Sequence, residues 1–232
     1  MSIERICIVL LLRDEILLWQ REEVRLFSAR FRQEDRKLIL WNMEKLEMAL
    51  SLTFPFSTGV FIGVDEDKSG ILAAIEEKIA KATRIPISHY ESFNILRYQL
   101  GQKYDSHYDA FNPAEYGPQK SQRLVSFLLY LSSVEEGGET MFPFEVQNGK
   151  DMNGSYGYQK CIGLKVKPRQ GDAIFFYNLF PNGTIDQASV SDNKKQFRTY
   201  CRPLHGSCPV MKGEKWVATK WIRDQPYEDY AD

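Results

Sequence analysis

The chain has 232 residues, 43% of them hydrophobic and 26% charged, with a formal net charge of −1. This allows one good-sized domain with a packed core and excludes a face built to neutralise a nucleic-acid backbone, so no nucleic-acid partner is expected. Four cysteines without a CxxC pair argue against a zinc ribbon or thioredoxin-type motif and do not make a disulfide scaffold, leaving room for one bridge if the chain is secreted.

Residues 1 to about 52 are rich in Leu, Arg and Glu and contain no Gly or Pro. "ICIVLLL" is too short to span a bilayer, so no membrane span is expected. It stops at Arg13-Asp14-Glu15, at the short limit of a signal-peptide core and without a clear small-residue cleavage site. "ILLWQREEVRLFSARF" predicts helix, although its apolar spacing is untidy. "TFPFSTG" breaks that pattern. "SGILAAIEEKIAKATRIP" predicts an amphipathic helix with Ile71, Leu72, Ile75, Ile79 and Ala82 on one face, ended by Pro86. His89 follows at a turn.

Beyond this the texture is β. "FNILRYQL" and "SHYDAF" read as strands, and "NPAEYGPQKSQ" as a polar loop. "RLVSFLLYLS" reads as a buried strand ending at the turn signal "EEGGE". "IGLKVKP", "AIFFYNL" and "KWVATKWI" are further strands, separated by the turns "RQGD" and "PNG". Short strands between Gly and Pro turns predict an α+β, mainly β fold: a jelly roll with helices ahead of it. Asn153-Gly-Ser155 and Asn182-Gly-Thr184 fit the glycosylation acceptor pattern, which also arises by chance.

The candidate chemistry lies in "HYDAFN". Alternate side chains of a strand share a face, so His107 and Asp109 would point the same way. A third ligand must come from His89 or His205, the only other histidines. Two histidines and one carboxylate form the ligand set of non-haem Fe(II) oxygenases. The same residues are equally consistent with a surface HxD and a turn histidine.

The stretches "ILRYQLGQKYDSHYDAFNPAEYGPQKSQRLVSFLLYLSSVEEGGETMFPF", "GLKVKPRQGDAIFFYNLFPNGTID" and "LHGSCPVMKGEKWVATKWI" resemble the prolyl 4-hydroxylase branch of the 2-oxoglutarate and Fe(II)-dependent dioxygenases, especially the plant enzymes. The resemblance covers residues 57–223 and implies a double-stranded β-helix core. It leaves 1–56 as an atypical N-terminal helical segment and 224–232 as a tail. It implies Fe(II) held by His107, Asp109 and His205. It further implies 2-oxoglutarate chelating the iron, with its far carboxylate on Lys215 and further contacts from Tyr98 and Thr140. Outside the motif, Lys215 would read as a solvated charge, Tyr98 as cross-strand packing and Thr140 as a turn hydroxyl. Tyr104, Arg123 and Trp221 match positions lining the peptide groove, where aromatic faces suit a polyproline II ligand. The alternatives are core packing for Trp221 and a surface charge for Arg123. Arg223 stands where relatives carry other residues, including histidine, and receives no role. Cys161 and Cys208 are a possible disulfide in an oxidising compartment.

The implied reaction hydroxylates peptidyl proline at C4, with O2 as second cosubstrate, L-ascorbate keeping the iron reduced, and succinate and CO2 released. Extensin- or collagen-like proteins are the implied substrates, and the endoplasmic reticulum or Golgi the implied compartment. Two departures stand against this. Residues 1–56 do not resemble the family's N-terminal region or its signal anchor. Relatives also run almost directly from "NGTID" into "LHGSCPV", whereas here a polar insert, Ser191 to Pro203, with Lys194, Lys195, Arg198 and Arg202, comes just before His205. The competing readings are a zinc hydrolase using the same three ligands, and an impaired metal- or peptide-binding module. If the insert perturbs His205, deleting Ser191 to Pro203 should raise hydroxylation of a proline-rich peptide at matched folded fraction. Higher activity in the intact chain would make the insert a functional element.

Overall fold

A computed structural model describes residues 58–143, 161–179, 183, 185 and 203–227, together with the backbone of three strands between residues 8 and 27. The insert up to Arg202, both glycosylation asparagines and most of residues 1–56 lie outside the described residues.

The three early strands are β1 (Ile8–Leu12), β2 (Glu15–Trp19) and β3 (Val24–Phe27). This corrects the helix expected over "ILLWQREEVRLFSARF". The reason is tertiary. β1 pairs antiparallel with β11 (Ala173–Tyr177), and β2 and β3 continue the ladder outward. An apolar run beside an open sheet edge satisfies its backbone there, and the untidy helical spacing offers little competition.

The helix expected from "SGILAAIEEKIAKATRIP" is α1 (Ile71–Thr83). Leu72, Ile75, Glu76 and Ile79 are its buried face, with Ile71 and Ala82 packed at the margin. Asp67 serves its N-terminus, its Oδ2 accepting from the Leu72 amide at 2.8 Å. Arg84 ends it in a left-handed conformation, φ 61°, its amide donating to Ala80 O. His89 closes a short 3-10 turn, Ile87–His89, with Nδ1 3.0 Å from the Arg223 carbonyl.

The major sheet continues through β4 (Thr58–Ile62), β5 (Phe93–Tyr98), β7 (Arg123–Tyr130) and β14 (Lys215–Arg223). Its order is β3-β2-β1-β11-β7-β14-β5-β4. The minor sheet has the order β10-β9-β12-β6, built from β6 (Tyr104–His107), β9 (Thr140–Phe142), β10 (Leu164–Val166) and β12 (His205–Ser207). A two-stranded ladder joins β8 (Glu136–Gly137) to β13 (Val210–Lys212). A single-turn helix, α2 (Pro113–Tyr116), interrupts the loop after β6. This is the expected jelly roll.

Period-two alternation divides the core. Val125, Phe127 and Leu129 of β7, with Ala173 and Phe175 of β11, pack with Leu72, Ile75 and Ile79 of α1. Leu128 and Tyr130, with Ile174 and Phe176, join Phe142 of the minor sheet in a second cluster. β12 threads between β6 and β9, and Gly206 makes this possible. A Cβ there would sit 2.9 Å from Tyr104 O and 3.0 Å from Met141 Cε.

Glu76 interrupts the apolar face of α1 because Lys220 of β14 reaches it from the sheet. The two form a buried ion pair, and the ammonium lies 4.0 Å from the Phe93 ring centroid. Removing one partner of such a pair costs about 3–5 kcal/mol. Glu76→Ala should therefore lower stability by about that amount in urea unfolding, whereas Glu76→Leu combined with Lys220→Met should recover most of it.

Candidate metal and cosubstrate site

His107 is the last residue of β6 and Asp109 lies in the bend just after it, so the two are not both on a strand as the spacing suggested. The bend nevertheless brings both to the same point. His205 opens β12, where it pairs directly with His107 across the ladder. It is thus in a strand and not merely ahead of one. His107 Nε2 is 3.4 Å from Asp109 Oδ1, and His205 Nε2 is 3.6 Å from Asp109 Oδ2. One ligand atom from each residue falls within 4.8 Å of the others. His89 is elsewhere, against Arg223.

Each imidazole is oriented from behind. His107 Nδ1 donates to Asp105 O at 2.9 Å, and His205 Nδ1 to Pro203 O at 2.8 Å. A carbonyl only accepts, so Nδ1 carries the proton and Nε2 keeps its lone pair. Pro203, the last residue of the insert, therefore belongs to the support of this site. Burial pushes the His205 pKa down to about 4 against the pull of Asp109, so the ring is neutral at neutral pH. Burial also disfavours charge on His107, but the hydrogen bond and charge of Asp109 outweigh it and hold His107 above its ordinary value. Burial raises the Asp109 pKa, yet the two imidazoles and the Ser126 hydroxyl hold the carboxyl well below the usual carboxylate range. An anionic oxygen and two imidazole nitrogens therefore converge, which is the donor set that suits a divalent iron with positions left open.

Lys215, at the start of β14, is 2% exposed. Its Nζ donates to Ser207 Oγ at 2.7 Å and lies 5.0 Å from the Tyr98 ring centroid and 5.9 Å from that of Tyr130. Among the described residues no carboxylate comes within ion-pair distance. Burial pushes its pKa down to about 7, with Glu139 opposing. A buried ammonium without a counter-ion is costly and suits an incoming carboxylate. Thr140 is buried on β9, pairs in register with Ser207 and accepts a hydrogen bond from Tyr130 at 2.7 Å. Tyr98, Thr140 and Lys215 therefore come together as expected. Ser207 and Tyr130 complete the pocket and were missed. The only sequence hint was a polar residue beside each motif histidine or strand end.

At the mouth, the Tyr104 ring lies 4.3 Å from that of His107 and is 38% exposed. Arg123 is no surface charge. It makes a two-pronged ion pair with Glu91, Nε to Oε1 at 2.9 Å and Nη2 to Oε2 at 2.8 Å, and stacks 3.6 Å from the Trp221 ring centroid. Arg223, given no role from sequence, shares the same carboxylate through Nε at 2.5 Å. Trp221 is buried, and its Nε1 has no hydrogen-bond partner among the described residues. Cys161 and Cys208 form a disulfide with Cα atoms 5.2 Å apart, tying the approach to β10 to the residue after Ser207. Glu139 lies beside these sulfurs, which the disulfide already occupies.

A jelly roll that brings together two strand histidines, a carboxylate from the following bend and a buried lysine with no carboxylate partner among the described residues is the arrangement of the non-haem iron oxygenases that take an acidic cosubstrate. The family model described as "2OG-Fe(II) oxygenase superfamily" matches residues 93–223. Prolyl 4-hydroxylase 13 of Arabidopsis thaliana is 76% identical over 164 residues, covering 71% of this chain and 54% of that protein. Probable prolyl 4-hydroxylase 9 of the same plant is 66% identical over 173 residues, covering 75% and 54%. In fold, the chain is similar to a viral collagen prolyl hydroxylase from Paramecium bursaria Chlorella virus-1 solved with 2OG. The TM-score is 0.58 at 24% identity, with 83% of this chain and 90% of that one covered. The chain belongs to the 2OG-Fe(II) oxygenase superfamily. It spans about half the length of the curated relatives it matches.

Lys215 gives the site a pH dependence. With its pKa pushed down to about 7, it is an ammonium below that pH and neutral above it. Binding a carboxylate above pH 7 must take up a proton. The affinity of the Fe(II)-loaded protein for 2-oxoglutarate should therefore be flat at pH 6–7 and fall as the pH rises further, by up to about tenfold per unit. Lys215→Met should bind weakly at every pH. Anaerobic titrations followed through the visible absorption of the complex would check both.

Proposed function

We propose that this chain hydroxylates peptidyl proline at C4, consuming 2-oxoglutarate and O2 and releasing succinate and CO2. The observation that carries the reading is the convergence of His107, Asp109 and His205 beside a buried lysine that has no counter-ion among the described residues. Fe(II) with its cosubstrates would supply the oxidising power to functionalise an unactivated C–H bond. The protein's part is placement. The triad would hold the metal through two Nε2 atoms and a carboxylate oxygen. Lys215 would take the far carboxylate of 2-oxoglutarate, with Tyr98 and Thr140 beside it. Tyr104, Trp221 and the guanidinium of Arg123 would grip an extended proline-rich peptide, of the extensin or collagen type, at the mouth. The exposed flank of Tyr104 over His107 suits a pyrrolidine ring seated next to the metal. L-Ascorbate would restore iron oxidised in turnovers without peptide.

The disulfide supports an oxidising compartment, and we propose the endoplasmic reticulum or Golgi on that ground. A zinc hydrolase would have no use for Lys215, which disfavours that reading.

Asp109→Ala should abolish Fe(II) binding and peptide-dependent succinate release, because the carboxylate both offsets the ion's charge and fixes its place. Wild-type iron occupancy in this variant would refute the ligand assignment. Iron and 2-oxoglutarate binding without turnover in the unaltered chain would instead indicate a binding module.

A further inference from the structure

Asp109 has a support behind it that the family resemblance does not supply. Ser126 Oγ donates to Asp109 Oδ2 at 2.5 Å. Asn178 Nδ2 donates in turn to Ser126 Oγ at 2.8 Å. Ser126 is 0% exposed, Asn178 1% and Asp109 6%, so water does not compete. The amide hydrogen of Asn178 occupies a lone pair of the serine oxygen. Ser126 therefore has its own proton free to give, and among the described residues the acceptor it meets is the carboxylate.

The fold puts these residues there by alternation. Ser126 lies on β7 on the same face as Leu128 and Tyr130, and its cross-strand partner on β11 is Phe176. Asn178 is two positions beyond Phe176 and on the same face. Its own amide nitrogen donates to Leu124 O at 2.9 Å, which anchors the residue to β7. Its Oδ1 is buried and has no partner among the described residues. An orphaned buried acceptor is a cost, and here it accompanies an amide whose NH2 end is committed to Ser126.

We propose that Ser126 and Asn178 are positioning residues that set how the Asp109 carboxylate meets the metal. Ser126 takes one lone pair of Oδ2, the oxygen 3.6 Å from His205 Nε2, which favours Oδ1, the oxygen 3.4 Å from His107 Nε2, as the one that binds. A carboxylate held to one oxygen keeps a coordination position that a two-oxygen grip would fill. That position matters for a metal that must accept a chelating cosubstrate and a third ligand. The inference rests on the triad being the metal site, but not on proline being the substrate.

The test is an anaerobic metal titration of the full chain, with Mn(II) followed by electron paramagnetic resonance. A parallel Fe(II) plus 2-oxoglutarate titration is followed by visible absorption. Ser126→Ala should weaken Mn(II) binding about ten- to a hundredfold, as loss of a ligand's hydrogen-bond partner typically does. It should also shift the visible band of the Fe(II)–2-oxoglutarate complex. Ser126→Thr keeps the hydroxyl and should restore both. Asn178→Ala should show a smaller loss in the same direction, and serves as the deciding variant if Ser126→Ala does not fold. Circular dichroism of the metal-free proteins would establish folding, since a merely structural role would change the melt and leave the band in place. Wild-type affinity and an unshifted band in a folded Ser126→Ala, or in Asn178→Ala, would overturn the proposal. If the unaltered chain binds neither Mn(II) nor Fe(II), the triad assignment itself fails, a result distinct from the loss of one variant.

Discussion

Burying charge inside a β jelly roll is the constraint to which this structure answers. Asp109, His205 and Lys215 are each at most 6% exposed, within a core otherwise lined by Tyr98, Phe142 and Phe176. Water cannot solvate them there, so the carboxylate of Asp109 and the ammonium of Lys215 each need compensation from the protein or a ligand. The carboxylate receives a hydrogen bond from Ser126 and faces the Nε2 atoms of two imidazoles. The ammonium is compensated only in part, by a neutral hydroxyl and two aromatic faces. That asymmetry separates an anionic centre at Asp109 from a cationic one at Lys215. Strand pairing sets their separation: β12 carries His205 and Ser207 between β6 and β9, and the disulfide fixes the chain immediately after Ser207.

The mouth follows the same logic with a different balance. Glu91 carries one negative charge and meets two guanidiniums, Arg123 and Arg223. The Phe111 ring lies 4.8 Å from one and 4.9 Å from the other. One carboxylate cannot neutralise both, so the cluster keeps a net positive charge. Because Arg123 is pinned by two hydrogen bonds and stacked on Trp221, its guanidinium has little side-chain entropy left to lose. Arg223 is drawn deeper, donating to Ser121 O at 2.9 Å. A residue given no part from sequence therefore shares the counter-ion of one that was.

How much of this was legible depended on whether the signal was local. The strands from Phe93 onward were readable because apolar alternation and Gly turns agree with the packing they meet. The convergence of His107, Asp109 and His205, the pocket around Lys215 and the cysteine pair were readable because motif spacing carries them. The first strands were not, since their pairing with β11 is a long-range event that a run such as "ILLWQ" does not encode. Ser126, Asn178, Glu91 and Ser207 were missed for a related reason: each is ordinary in its own segment and acquires meaning only across the sheet. The one available hint was chemical. A serine amid "LVSFLL" in a strand buried on both faces needs a partner, and a paired polar residue in such a place is seldom idle.

The strand "KWVATKWIR" shows how far alternation alone carries the division between holding the fold and doing chemistry. Lys215 and Lys220 are five positions apart, an odd number, so they leave β14 on opposite faces. Lys220 emerges toward α1 and finds Glu76, placed on the helix at the one position of its apolar face that can reach it. Lys215 emerges toward the minor sheet and finds Ser207. Val217 and Trp221 share the Lys215 face, leading from the cosubstrate pocket toward the mouth. Ala218 and Ile222 share the Lys220 face and pack in the α1 core. Two lysines of equal burial in one strand thus differ in what the opposite wall supplies. One wall supplies a carboxylate and neutralises its lysine; the described part of the other supplies only a hydroxyl and leaves its lysine without a counter-ion there.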